Sequence, residues 1–205
     1  TGWREDCNFS YLIHTPGQTA AAEYLNDIAR HSCDSLIVGG HSKGGNIAVY
    51  AAAFCDEKIR NTRIRKVYSN DGPGFNSEIA ASKNYMEILE KVVKIIPESS
   101  IVGILLSSKA KRIVITSSAR GIFQHNPYSW NVSEDHFETA DGRSIASILI
   151  GSALSSWISS LDAQEKQQII DSFFDALESS GAETIHDLKV QKKETALALL
   201  KAMIE

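Results

Sequence analysis

Residues 35–54, SLIVGGHSKGGNIAVYAAAF, constrain the fold more than any other stretch of this chain. An apolar run of strand length passes through a glycine-rich turn at residues 40–45 and enters an alanine-rich helical segment without a break. A buried strand that turns straight into a helix is the unit of parallel sheets, because a parallel neighbour can be reached only through a crossover. The remainder of the chain repeats the alternation. β-Branched runs at residues 65–69, 92–96 and 112–116 each end in turn residues, and Thr15 with Pro16 makes a cap and first turn for a helix to about residue 30. Residues 77–90 fit an ordinary crossover helix better than a lid. The expectation is an α/β fold in which four strands share a mostly parallel sheet flanked by helices.

After Asp141 and Gly142 the pattern becomes helical, over residues 144–159, 162–179 and 192–204. In the second of these, Ile169, Ile170, Phe173, Phe174 and Leu177 recur at helical spacing and predict one buried face. No linker or repeat intervenes. The chain therefore reads as a single domain over 1–205, with a sheet core at 1–142 and C-terminal helices at 143–205 packing on it.

Composition excludes several classes of function. A hydrophobic share of 43% and a charged share of 22% are those of ordinary globular chains, and no apolar run is long enough for a membrane span. Net charge is −4, and no Lys/Arg run is interleaved with aromatics, so a nucleic-acid partner is not expected. The most basic stretch, KIRNTRIRK at 58–66, is read as a solvated loop between a helix and a strand. Cys7, Cys33 and Cys55 are odd in number and lack metal-site spacing, which points to a reducing, cytoplasmic setting with no structural metal.

The turn at residues 40–44 has the pattern Gly-x-Ser-x-Gly. Chance alone would produce it in about one chain in fifteen of this length, so its context decides. Here it lies between a strand and a helix, where the turn lifts the Ser42 hydroxyl off the sheet and directs the Lys43 N–H toward a developing oxyanion. Ser42 is thus the candidate nucleophile and Lys43 the candidate oxyanion donor. In this arrangement acid and base follow the nucleophile in that order, which disfavours His14, His31 and His41. Of the remaining histidines, His125 lies in a loop after the last predicted strand and is preferred over His136 and His186. Two strand ends offer a carboxylate, Asp71 and Glu98, and topology alone leaves them both open.

These motifs resemble those of the lipase-like α/β-hydrolases, close to the class 3 lipases and to a bacterial branch of that superfamily. The likeness rests on WRED at 3–6, GGHSKGGN at 39–46, DGPGF at 71–75, PESSIVG at 97–103 and QHNPYSW at 124–130. It implies Ser42 as nucleophile, His125 as base and Asp71 as acid, with Glu98 the alternative. Two features depart from the pattern. Lys43 stands where typical members carry leucine, and the resemblance implies that opening strands and a second oxyanion donor precede Thr1. The implied activity is that of a serine hydrolase, an esterase or lipase-like enzyme acting on an acyl ester or lipid with no cofactor and no metal. The alternative is a non-catalytic protein that keeps the fold and binds a partner or small molecule.

Overall fold

The computed structural model describes residues 13–162, 164–169 and 172 of the chain. Four parallel strands form one sheet in sequential order: β1 Leu36–His41, β2 Ile64–Asn70, β3 Val92–Pro97 and β4 Arg112–Ile115. Helices flank the sheet, so the sequence places all four strands to within a residue or two. One register row runs Gly40, Ser69, Lys94 and Arg112, and the strands all end at the same edge.

The crossovers explain where the core lies. Helix α1 (Pro16–His31) starts at Thr15, whose hydroxyl accepts from the Gln18 N–H while the Gln18 side chain accepts from the Thr15 N–H. It packs on α2 (Lys43–Phe54), which is buried almost all round through Ala48, Val49, Tyr50 and Ala51 to Ala53. Small side chains there let α2 approach both the sheet and α1. Asn46 is the buried polar exception: it accepts from Gln18 Nε2 and donates to the Gly74 carbonyl, tying α1, α2 and the loop after β2 together.

The stretch at 58–66 is not a loop. Residues Glu57–Thr62 form helix α3 and β2 begins at Ile64, because Ile59 and Ile64 are both drawn into the core. Arg60 is buried, donates to the carbonyls of Ala53 and Cys55, and pairs with Glu87 at 2.9 Å. Its charge serves the fold, as expected for a buried cation that must be fully paired.

The crossover from β2 to β3 is broken into α4 (Ser77–Ala81) and α5 (Lys83–Ile88). The interruption is Ser82, whose hydroxyl accepts from the Tyr85 N–H and so starts a new helix. A short hairpin of β5 (Val132–Ser133) and β6 (His136–Phe137) brings Phe137 and Trp130 against Val93, Ile95 and Ile115 on the opposite face of the sheet. Helix α6 (Ile145–Ser160) follows, anchored where Ser147 Oγ donates to the Ser100 carbonyl. Its Ile145, Leu149 and Trp157 remain exposed. Residues 164–169 are helical, while most of the predicted 162–179 helix and all of that at 192–204 lie outside the described residues, as do Cys7 and His186. Among the described residues no helix is long and apolar enough to cross a membrane.

Candidate active site

β1 ends at His41, and the next residue, Ser42, has φ 56° and ψ −128°. That conformation is disfavoured for a side chain bearing a Cβ, and such strain collects at functional turns. It is made possible by Gly40, where a Cβ would stand 2.3 Å from the Gly44 carbonyl oxygen. The second glycine of the motif, Gly44, faces open space. The steric demand falls instead on Gly45, whose Cβ would meet Ser69 Oγ at 2.9 Å and Gly72 Cα at 3.2 Å. Although Ser42 occupies the N-cap of α2, its hydroxyl makes no capping bond. It is held by His125 instead.

His125 is the last residue of a 3-10 turn, Gly121–His125, and its Nε2 lies 2.9 Å from Ser42 Oγ. Its Nδ1 lies 2.7 Å from Asp71 Oδ2. With the proton on Nδ1, the ring donates to Asp71 and leaves Nε2 to accept from the serine hydroxyl. Asp71 follows β2 with φ 48°, is wholly buried, and accepts through Oδ1 from the Ser100 hydroxyl and from the Gly103 N–H at 3.1 Å. Ser100 and Gly103 thus fix the carboxylate from behind. A Cβ on Gly103 would come within 2.3 Å of Asp71 Oδ1, so glycine there is what allows the N–H to reach the acid.

The other candidates sit elsewhere. Glu98, at the end of β3, accepts from Gln124 Nε2 at 3.4 Å and makes no bond to His125. Gln124 in turn accepts from the Ser99 N–H, and its carbonyl takes the Trp130 indole N–H, so this segment braces the turn that carries His125. His136 is exposed and paired with Asp135, His14 bonds Tyr50, and His31 bonds the Asp27 carbonyl. Lys43 opens α2, where the first backbone N–H groups of a helix point along its axis.

Sequence reasoning gave His41 no role, yet it contacts the site. Its Nε2 lies 2.8 Å from the His125 carbonyl and its ring centroid 4.6 Å from that of His125. Burial pushes the His41 imidazole below its usual value, opposed in part by that hydrogen bond. A neutral His41 carrying its proton on Nε2 donates to the carbonyl and holds the 3-10 turn in place. Its position beside Ser42 in GHSKG was the available signal; a side-chain-to-backbone bond spanning 84 residues was not readable. His41→Phe keeps a ring and loses the donor, and it is expected to lower reactivity of Ser42 about tenfold, the kinetic equivalent of one hydrogen bond. Rates of covalent labelling at Ser42 would check this.

The arrangement as a whole is a serine hydroxyl next to a basic imidazole nitrogen, with a buried carboxylate orienting the ring, at the carboxyl ends of parallel strands. Such a set can activate an oxygen nucleophile without a metal. No curated protein and no solved structure matches the chain. Residues 1–175, which include all three members of this set, match the family model described as Mbeg1-like, and the chain belongs to the Mbeg1-like family.

Proposed function

We propose that this protein is a serine hydrolase of the α/β-hydrolase type, acting on an acyl ester. The observation that carries this is the continuous hydrogen-bonded chain from Ser42 Oγ through His125 to Asp71, with the serine held in a strained turn between strand and helix. In the first step His125 Nε2 takes the Ser42 proton as Oγ attacks the carbonyl carbon, and the carbonyl oxygen becomes an oxyanion facing the Lys43 N–H. Collapse breaks the ester bond. The leaving alkoxide takes the proton from His125, and an acyl-Ser42 ester remains. Water, deprotonated by the same nitrogen, then attacks and releases the acid. Asp71 stays ionised throughout and stabilises the imidazolium. The preference for an ester, including a lipid ester, over a peptide follows from the lipase-like motifs alone.

A fluorophosphonate probe followed by peptide mapping tests the proposal. The expected result is an adduct on Ser42, absent in Ser42→Ala and strongly slowed in His125→Ala. A folded protein that remains unlabelled would refute the hydrolase assignment and favour a binding role for the fold.

A further inference from the structure

Next to Gly103, whose N–H reaches Asp71, lies a cavity of about 790 Å³, walled by α4, the segment 104–109, the start of β4, and α6. Its charge is one-sided. Among the described residues, Lys109, Arg112 and Arg143 line it, no acidic side chain does, and none of the three takes part in an ion pair. Lys94, directly across the β3–β4 register from Arg112, is 2% exposed and likewise has no ion-pair partner among the described residues. Surface arginines and lysines are ordinarily interspersed with carboxylates. Here cations without ion-pair partners converge, burial and secondarily the charge of Arg112 pushing Arg143 down from its usual value.

The opposite wall supplies hydroxyl donors. Ser152, Ser155, Ser156 and Ser159 all line the cavity, and their spacing of three and four residues puts them on one face of α6. Close approach of this helix is built in, since a Cβ on Gly151 would stand 2.5 Å from Ile104 Cδ1. Two planar guanidiniums and an ammonium, which can only donate, stand with a row of hydroxyls that can also donate.

We propose that this cavity binds the phosphate group of a phosphate ester, with Arg112 and Arg143 as its principal ligands and Lys109 and the α6 serines as further donors. A phosphate dianion offers three terminal oxygens, enough to accept paired N–H bonds from both guanidiniums and still engage hydroxyls, and its charge matches several unpaired cations better than a single carboxylate does. The volume exceeds that of phosphate itself and leaves room for an esterified organic part. None of the lining residues belongs to the Ser42 chain, so the inference stands apart from the proposed hydrolysis.

Calorimetric titration of the full chain with glycerol 3-phosphate, with inorganic phosphate as competitor, tests it. Saturable binding is expected, weakened at least about tenfold by Arg112→Gln and by Arg143→Gln. It should be unaffected by Lys58→Gln, an exposed cation outside the cavity. Vesicles of phosphatidylcholine containing phosphatidic acid distinguish the source: arginine-dependent co-sedimentation assigns a lipid headgroup, whereas binding of the soluble ester alone assigns a free ligand. Without anion, both variants should melt at or above the wild-type temperature, because each removes one of two neighbouring like charges. A lowered melting temperature in both would make the guanidiniums structural and overturn the proposal. So would the absence of saturable binding, or an equal loss in Lys58→Gln.

Discussion

Asp71→Asn is expected to slow acylation of Ser42 on the order of ten-thousandfold, while Glu98→Gln leaves it within about threefold. The asymmetry follows from the contacts. Asp71 Oδ2 receives the His125 Nδ1 proton, whereas Glu98 reaches only Gln124. An asparagine at 71 keeps the volume but can turn its amide toward the ring, which would favour the tautomer with the proton on Nε2 and remove the base from Ser42. Ser100 and Gly103, which both donate to Oδ1, would hold the asparagine oxygen on their side and direct its NH₂ at His125. Second-order rate constants for a fluorophosphonate or an activated ester would measure the effect. A strong loss in Glu98→Gln with Asp71→Asn near wild type would reverse the assignment of the acid.

Replacing Lys94 by Met should stabilise the protein by up to about 5 kcal/mol below neutral pH. Burial, and secondarily the charge of Arg112, lower the Lys94 ammonium from 10.5 to about 7, against a smaller opposing effect of Asp71. Between those two values the unfolded chain holds the proton and the folded chain does not, so stability rises with pH across that window. Below about pH 7 both states are protonated and the full cost of burying the charge is present. Methionine keeps the aliphatic length without the charge. Urea unfolding at pH 6 and pH 9 should therefore show wild type gaining stability toward pH 9 and the gap to Lys94→Met narrowing. The comparison should stop there. Burial raises the Cys55 thiol from 9.0 to about 11, so its contribution is present below pH 9 and is lost as pH rises through that higher value. A Met variant less stable than wild type at pH 6 would show that the ammonium is compensated within the fold.

Such a costly lysine was invisible as a pattern. In VVKIIP the sequence shows one cation in a strand, which ordinarily faces solvent; only the row Ser69–Lys94–Arg112 and the helices laid over it put the side chain inside. The basic stretch at 58–66 misleads for the same reason. Arg60 is one of five arginines or lysines in that stretch, and its burial depends on Glu87 and on the carbonyls of Ala53 and Cys55.

What the sequence by itself determined is what local chemistry encodes. Apolar, β-branched runs of four to seven residues alternating with helical segments define the four strands, and their crossovers force the parallel sheet. Gly40 and Ser42 specify the turn, since only a glycine fits against Gly44 there. Because each parallel strand delivers its following loop to the same edge, Ser42, Asp71, Glu98 and His125 could all be named as candidates. Only the tertiary structure distinguishes their contacts. Asp71 and Glu98 stand at equivalent strand ends, and their difference lies in contacts across 25 residues or more: Asp71 with His125, Ser100 and Gly103, Glu98 with Gln124. His41 bracing the His125 turn and the cations gathered beneath α6 are of the same kind. Hydrogen bonds and charge reach only a few ångströms, so their partners are set by where the packed elements bring distant residues, and no periodicity along the chain records that distance.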